Sequence, residues 1–289
     1  MIRIAAEVAE ARRDGRGVVA LETTLVAHGF PPGDGVEVAL ASEAAVRESG
    51  SVPATVGVVD GEVVVGLTAD ELTRFDATAR KLGPRDLGAA VVQRAVGATT
   101  VGGTLAACRT AGISFMATGG LGGVHREWPT PPDVSADLPA LAQARVLVVS
   151  SGVKSLLDVP ATLEVLETFG VPVLGWRTDE LPLFYSAHGG PPVAGRVESA
   201  GEVSAIARAH WELGGGGLLL ARPPDDSLDD VEPLIETALA DAAAQGVRGQ
   251  AVTPFVLAWL HRESGGRTLR ANRDLVIGNA RLAGEIAAA

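Results

Sequence analysis

The sequence predicts an α/β fold: a single domain with a largely parallel central sheet flanked by helices, and a helical C-terminal segment. Three observations carry that expectation. Short apolar runs alternate with alanine-rich helical patterns, the arrangement of βαβ units. Most of the apolar runs end in Gly, Ser or Thr, as strands feeding loops do. No Pro/Ser-rich tract or fixed-period repeat divides the 289 residues, so one domain over residues 1–289 is expected. With 47% hydrophobic residues, a chain of this length can bury a large core.

Taken in order, MIRIAAEVAEARRDG (1–15) reads as a charged amphipathic helix without the apolar region of a signal peptide. GVVALETT (17–24) reads as a strand and GVEVALASEAAVRES (35–49) as a helix. VVDGEVVV (58–65) is a hairpin signal, two β-branched runs around Asp60-Gly61. RDLGAAVVQRAV (85–96) and TLAACRTAG (104–112) have helical patterns, and ISFMATGG (113–120) is strand-like. RVLVVSSG (145–152) reads as a strand running directly into the helix SLLDVPATLEVLET (155–168). PVLGWRT (172–178) is a further strand, EVSAIARAHWEL (202–213) a helix and GGGGLLLARPP (214–224) a turn-strand-turn. Helix is expected from about residue 228 onward.

Charge narrows the partners. The formal net charge is −11, from 24 basic and 35 acidic residues, and no basic block stands out. A nucleic-acid polymer is therefore not an expected partner. Cys108 is the only cysteine, which excludes an intrachain disulfide and any multi-cysteine metal site. No apolar run approaches the length of a membrane span, so a soluble cytoplasmic protein is expected.

Ligands of open α/β sheets collect outside the carboxyl ends of the strands. The residues there are Glu22 after VVAL, Thr118-Gly119-Gly120 after ISFMA with glycines continuing to His125, and Lys154 after VLVVSSG; Asp133 and Asp137 lie in PPDVSADL, just before the Lys154 strand. Each has a plainer reading. Glu22 can cap a helix, and the glycines can serve a tight turn at positive φ. DVSAD can be an N-cap series, Lys154 can be solvated, and His28 and His125 can be structural. Four glycines in five residues suit close approach to an anion but match no Walker or Rossmann spacing. Lys154 is the anomaly: it is read at a strand-to-helix turn, beside a helix N-terminus whose partial positive charge disfavours an ammonium.

ALETTLVAHGFP (20–31), GATTVGGTLAAC (97–108), FMATGGLGGVHR (115–126), DVSADL (133–138), GVKSLLDVPATLEVLETFG (152–170) and AVTPFVLAWL with GGRTLRANRDLVIGNARLAGEIA (251–287) form an ordered series. That series closely resembles the pseudouridine-5′-phosphate glycosidase family from about Val18 to Ile286. The resemblance implies reversible cleavage of the carbon–carbon bond between uracil and ribose 5-phosphate, by a cytoplasmic homotrimer that uses a divalent metal such as manganese. It implies that Glu22 is the proton donor and Lys154 the nucleophile, working through an imine. It also implies that Asp133 binds the metal and that Lys81, the Val101 backbone, Ser135, Ala136, Asp137 and Asn272 contact substrate.

A carbon–carbon glycosidic bond makes these residue types sensible. Protonating a nitrogen or oxygen of the base cannot release it, so an electron sink is needed at the anomeric carbon, and a neutral lysine amine supplies one. Departures from the family pattern surround the site. Pro84 replaces an arginine, HREWPTPPD is bulkier than usual, AGAKS has become SGVKS, and Arg222-Pro223 replaces Asn-Pro. They leave two alternatives open: a C-glycosynthase of the alnumycin type that joins ribose 5-phosphate to an aromatic acceptor, and a non-catalytic ribose-phosphate-binding protein.

Overall fold

The computed structural model describes residues 1–126 and 133–289. The chain opens with an edge strand, β1 (Ile2–Ile4), then α1 (Ala6–Arg13), β2 (Val18–Glu22) and α2 (Asp34–Glu48). The hairpin follows as β3 (Val52–Val59) and β4 (Glu62–Val65). Asp60 and Gly61 between them both have positive φ, 53° and 91°, as a tight two-residue hairpin turn requires. Next come α3 (Ala69–Leu72), β5 (Arg80–Leu82), α4 (Leu87–Val92), β6 (Gly97–Thr99) and α5 (Val101–Ala111). The second half contains β7 (Phe115–Ala117), β8 (Val124–His125), α6 (Asp137–Gln143), β9 (Leu147–Ser150), β10 (Leu157–Asp158) and α7 (Val159–Thr168). It closes with β11 (Val173–Trp176), β12 (Gly195–Val197), α8 (Ala200–Glu212), β13 (Leu218–Ala221), α9 (Glu232–Ala244), α10 (Val252–Glu263) and α11 (Arg267–Ala288).

The main sheet runs β1-β4-β3-β2-β7-β9-β13-β11-β12, with β6 added to β3 and β5 to β6. Its pairings are parallel except those of β3 with β4 and with β6. Alternating side chains send Val18, Ala20, Val146, Val148 and Leu219 into a core shared with α1, α5, α6 and α7. The intervening residues Val19, Leu21, Leu147, Val149, Leu218 and Leu220 pack against α2, α8 and α11. The result is the expected helix–sheet–helix arrangement.

Several expectations are revised. Residues 2–4 pair with β4 as a strand instead of starting the N-terminal helix. The segments β5, β6 and β12 are three residues each, too short for a period-2 pattern to register. SLLD is not helical: α7 starts only at Val159, with the Asp158 carboxylate accepting the Ala161 N–H at 2.9 Å. Pro160 in the first turn has no N–H to donate back and crowds the preceding turn, and the extended N-cap Asp158 (φ −78°, ψ 95°) stops the helix from reaching back toward Lys154.

Candidate active site

β3 is longer than its neighbour β2, and this difference opens the site. β2 pairs with β3 as far as Glu22↔Val56, after which β3 continues its ladder with β6 at Gly57↔Ala98. β6 in turn carries β5, with Lys81 opposite Ala98. Glu22 therefore stands where two strands diverge from a common partner, and Lys81 lies on the branch beside it. On the other side, the register Leu21↔Ala117↔Val149 makes Glu22, Thr118 and Ser150 the next residues of β2, β7 and β9. Beyond the strands the two following loops stay zipped together. The Ser151 N–H donates to Gly119 O at 2.8 Å, the Leu121 N–H to Gly152 O at 3.0 Å and the Lys154 N–H to Leu121 O at 3.1 Å.

Glu22, Lys81, Val101, Asp133, Ser135, Ala136, Asp137 and Lys154 all line one cavity of about 430 Å³. A wider cleft of about 660 Å³ meets it at Leu157, but that cleft is mainly apolar and none of these eight residues faces it. Asn272 does not line the cavity. It is buried behind Gly29, its Nδ2 donating to Gly29 O at 3.5 Å and its Oδ1 without a partner among the described residues.

Glu22 is 6% exposed. It caps no helix: its two carboxylate oxygens accept from the Thr24 and Thr118 hydroxyls. Burial pushes its carboxyl above the ordinary range, against the opposing charge of Lys154 and those two hydroxyls. Lys154 sits in the loop five residues ahead of α7, so the positive end of that helix is not its environment. Its stem passes Gly120, where a Cβ would come 3.3 Å from Lys154 Cγ and overlap the Phe184 ring. Gly122 likewise has no room for a Cβ beside Ser135 and Asp137. None of the four loop glycines has positive φ, so they serve close approach and not a left-handed turn.

The buried Asp137 is held by backbone amides: Oδ1 accepts from the Gly102 N–H at 2.7 Å and Oδ2 from the Gly122 N–H at 3.1 Å. It thereby ties the start of α5 to the glycine loop. At that helix start the Gly103 N–H goes to Thr100 Oγ1 and the Thr100 N–H to Leu82 O. The Val101 N–H, in the first turn of α5, has no acceptor among the described residues, and Val101 lines the cavity. Burial and the nearby Lys154 charge lower the Lys81 amine, while Asp137 and Glu22 pull it back up. His28 also lines the cavity; it is bonded to Ala79 O at 3.1 Å and lowered chiefly by burial.

No group of three or more His, Cys, Asp or Glu able to hold a metal exists among the described residues. Asp133 lies on the rim, half-buried, with its Oδ2 3.8 Å from His125 Nδ1. Such a donor set fits a hard cation that keeps most of its waters, not a fully protein-ligated ion. The bulky EWPTPP run at 127–132 lies outside the described residues. Thr24, Arg85, Asp86 and the α10 wall of Thr253, Pro254 and Leu257 complete the cavity. Sequence reasoning missed them; only Thr24, two residues after a strand-end carboxylate, carried a local signal.

The family model described as Indigoidine synthase A like protein matches residues 7–289. A Herpetosiphon aurantiacus protein named pseudouridine-5′-phosphate glycosidase is 49% identical, over 99% of this chain and 97% of its own length. A Chloroflexus aurantiacus protein of the same name is 47% identical, over 99% and 98%. Among solved structures, an indigoidine synthase A-like protein from Thermotoga maritima superposes with a TM-score of 0.88 at 37% identity, covering 100% of this chain and 96% of that one. The prealnumycin C-glycosynthase in complex with ribulose 5-phosphate gives 0.89 at 41% identity, with the same coverage. The chain belongs to the indigoidine synthase A-like family, among relatives that are pseudouridine-5′-phosphate glycosidases.

Proposed function

We propose that this enzyme reversibly cleaves the C–C glycosidic bond of pseudouridine 5′-phosphate to uracil and ribose 5-phosphate. The observation that carries the reading is that Glu22 and Lys154 open onto one cavity that also holds Lys81. The Lys154 amine attacks C1′ as the ring oxygen departs with a proton from Glu22. The Glu22 carboxylate takes the proton that the attached nitrogen sheds and passes it to uracil C5. The nitrogen lone pair forms the C=N bond as the C1′–C5 bond breaks, its electrons returning to the uracil ring. Water hydrolyses the imine and releases ribose 5-phosphate. A carboxyl raised by burial suits a group that gives and retrieves protons.

Lys81 and the Val101 amide take the phosphate, with Arg85 at the rim. Besides the Glu22–Lys154 pair that exchanges the reacting proton, the cavity carries three carboxylates (Asp86, Asp133, Asp137) against Lys81 and Arg85, so a phosphate ester makes it strongly anionic. A divalent cation such as manganese at Asp133 would offset that charge. Ser135 and Ala136, on the rim beside Asp137, contact the ribose half. Asn272 acts from behind Gly29 and supports that turn. A homotrimer working in the cytoplasm completes the reading.

One observation favours a second aglycone. Pro84 lines the cavity where the family pattern has an arginine, and the C-glycosynthase structure is similar over the whole chain. The deciding experiment mixes uracil with ribose 5-phosphate and manganese and follows the ultraviolet change of C–C bond formation. Formation of pseudouridine 5′-phosphate is expected; no reaction with uracil alongside coupling to an aromatic acceptor would replace it with the glycosynthase reading. The presence of both Glu22 and Lys154 speaks against a silent binding protein.

A further inference from the structure

The acid and the nucleophile come from different strands, and one side chain from the far end of the chain connects the loops that carry their surroundings. Asn279, on α11, is 0% exposed. Its Nδ2 donates to Thr118 O at 2.9 Å and reaches Gly119 O at 3.4 Å and Ser151 Oγ at 3.1 Å. Ser151 Oγ returns a long bond to Asn279 Oδ1 at 3.5 Å. The same Thr118 donates its hydroxyl to Glu22. The next residue but one, Gly120, is the surface on which the Lys154 stem rests. Val276, one turn earlier on α11, packs against Gly119. A carboxamide is the side chain this position demands: it must donate twice to carbonyl and hydroxyl oxygens in a site closed to water.

We propose that Asn279 is a positioning residue that holds the Glu22 carboxyl and the Lys154 amine in register, by fixing the loop they share. The role rests on the bond-cleaving reading above. It touches no reacting atom and acts through Thr118 and Gly120. A group near the chemistry displaced by about 1 Å can cost on the order of 100-fold in rate. Losing Asn279 should therefore slow turnover without loosening the phosphate end of the cavity, where Lys81 and Val101 belong to other elements.

The test compares Asn279→Ala, Thr118→Val and the double variant in the full chain. Asn279→Ala should lower kcat about 10- to 100-fold, while KM for pseudouridine 5′-phosphate stays within about threefold. The double variant should be little slower than the worse single one, because both changes interrupt one route to Glu22. The alkaline limb of the kcat profile, where Glu22 loses the proton it must donate, should also move to higher pH, since a loosened Thr118 hydroxyl no longer favours the ionised carboxylate. Unchanged kcat, a loss confined to KM, or independent, multiplicative losses in the double variant would overturn the proposal. If Asn279→Ala does not fold, Ser151→Ala removes one arm of the staple; a few-fold kcat loss that overlaps with that of Thr118→Val supports the role, and no loss refutes it. Amide hydrogen exchange separates this role from the reaction assigned above. If wild type releases no uracil, the reaction is wrong. The staple still stands if Asn279→Ala, or Ser151→Ala in its place, deprotects 118–122 and 150–154 together and leaves the β3–β4 hairpin unchanged, and it falls if those loops keep their protection.

Discussion

The two walls of the cavity are built differently. The deep wall is the carboxyl edge of β2, β7 and β9, where strand register sets Glu22 and Thr118 side by side and zipped loops carry the chain on to Lys154. The rim is made of short or irregular pieces: three-residue β5 with Lys81, the single turn Pro84–Asp86, the stretch from Asp133 to Ala136, and one side of α10. Bond-making groups need placement to within a fraction of an ångström, which a sheet edge supplies. Charge neutralisation and recognition tolerate more movement, and loops supply those. Departures from the family pattern fall on both walls: Pro84 on the rim, and Ser151, Val153 and Arg222, whose backbone N–H donates to Ser150 O at 2.8 Å, beside the deep wall.

That contrast predicts different kinetic signatures. At the deep wall, Glu22→Gln keeps the shape and loses the proton, so kcat should fall by about 100- to 10,000-fold, with ribose 5-phosphate binding largely kept. A loss under about tenfold would erase the distinction between the walls. The same substitution should stabilise the fold in one pH window. Because burial raises the Glu22 carboxyl, its contribution to stability is complete below the ordinary value of about 4.3 and is lost as pH rises through the raised one. The Tm advantage of Glu22→Gln should thus grow with pH across that window and then level off.

At the rim, Lys81→Ala removes a charged partner of the phosphate and should raise KM by about 10- to 100-fold, the worth of a hydrogen bond to a charged group, with a smaller effect on kcat. Unphosphorylated pseudouridine should be a correspondingly poor substrate; equal use of nucleoside and nucleotide would move the phosphate elsewhere. The metal is the mildest element. Chelation should remove most of the activity without unfolding the protein, manganese should restore it better than magnesium, and Asp133→Ala should not respond to either. Full activity in chelator would reduce Asp133 to a surface carboxylate.

The deep wall was also the more legible in sequence. The apolar runs VVAL, ISFMA and VLVV, ending at Glu22, Thr118 and Ser150, mark the carboxyl ends of strands, although β7 itself is only three residues. Lys154 was found by its position after such a run, yet its surroundings were misread, because Leu156-Leu157 looks helical until Pro160 and the Asp158 cap delay the helix. β5 and β6 are too short to leave a period, so Lys81 was recognisable only through the resemblance. Thr253 and Asn279 reach the site region by tertiary folding from residues more than 90 positions beyond Lys154, and nothing local marks them. Asn272, assigned to substrate by the resemblance, is bonded behind Gly29 and does not line the cavity.

The central claim is that Lys154 forms the covalent link to the sugar, and borohydride trapping tests it most directly. Wild-type protein is incubated with ribose 5-phosphate, reduced, digested and mapped by mass spectrometry. One ribitol-phosphate adduct is expected, on Lys154, absent from Lys154→Ala together with all turnover. An adduct on Lys81 instead, or uracil release that survives Lys154→Ala, would contradict it.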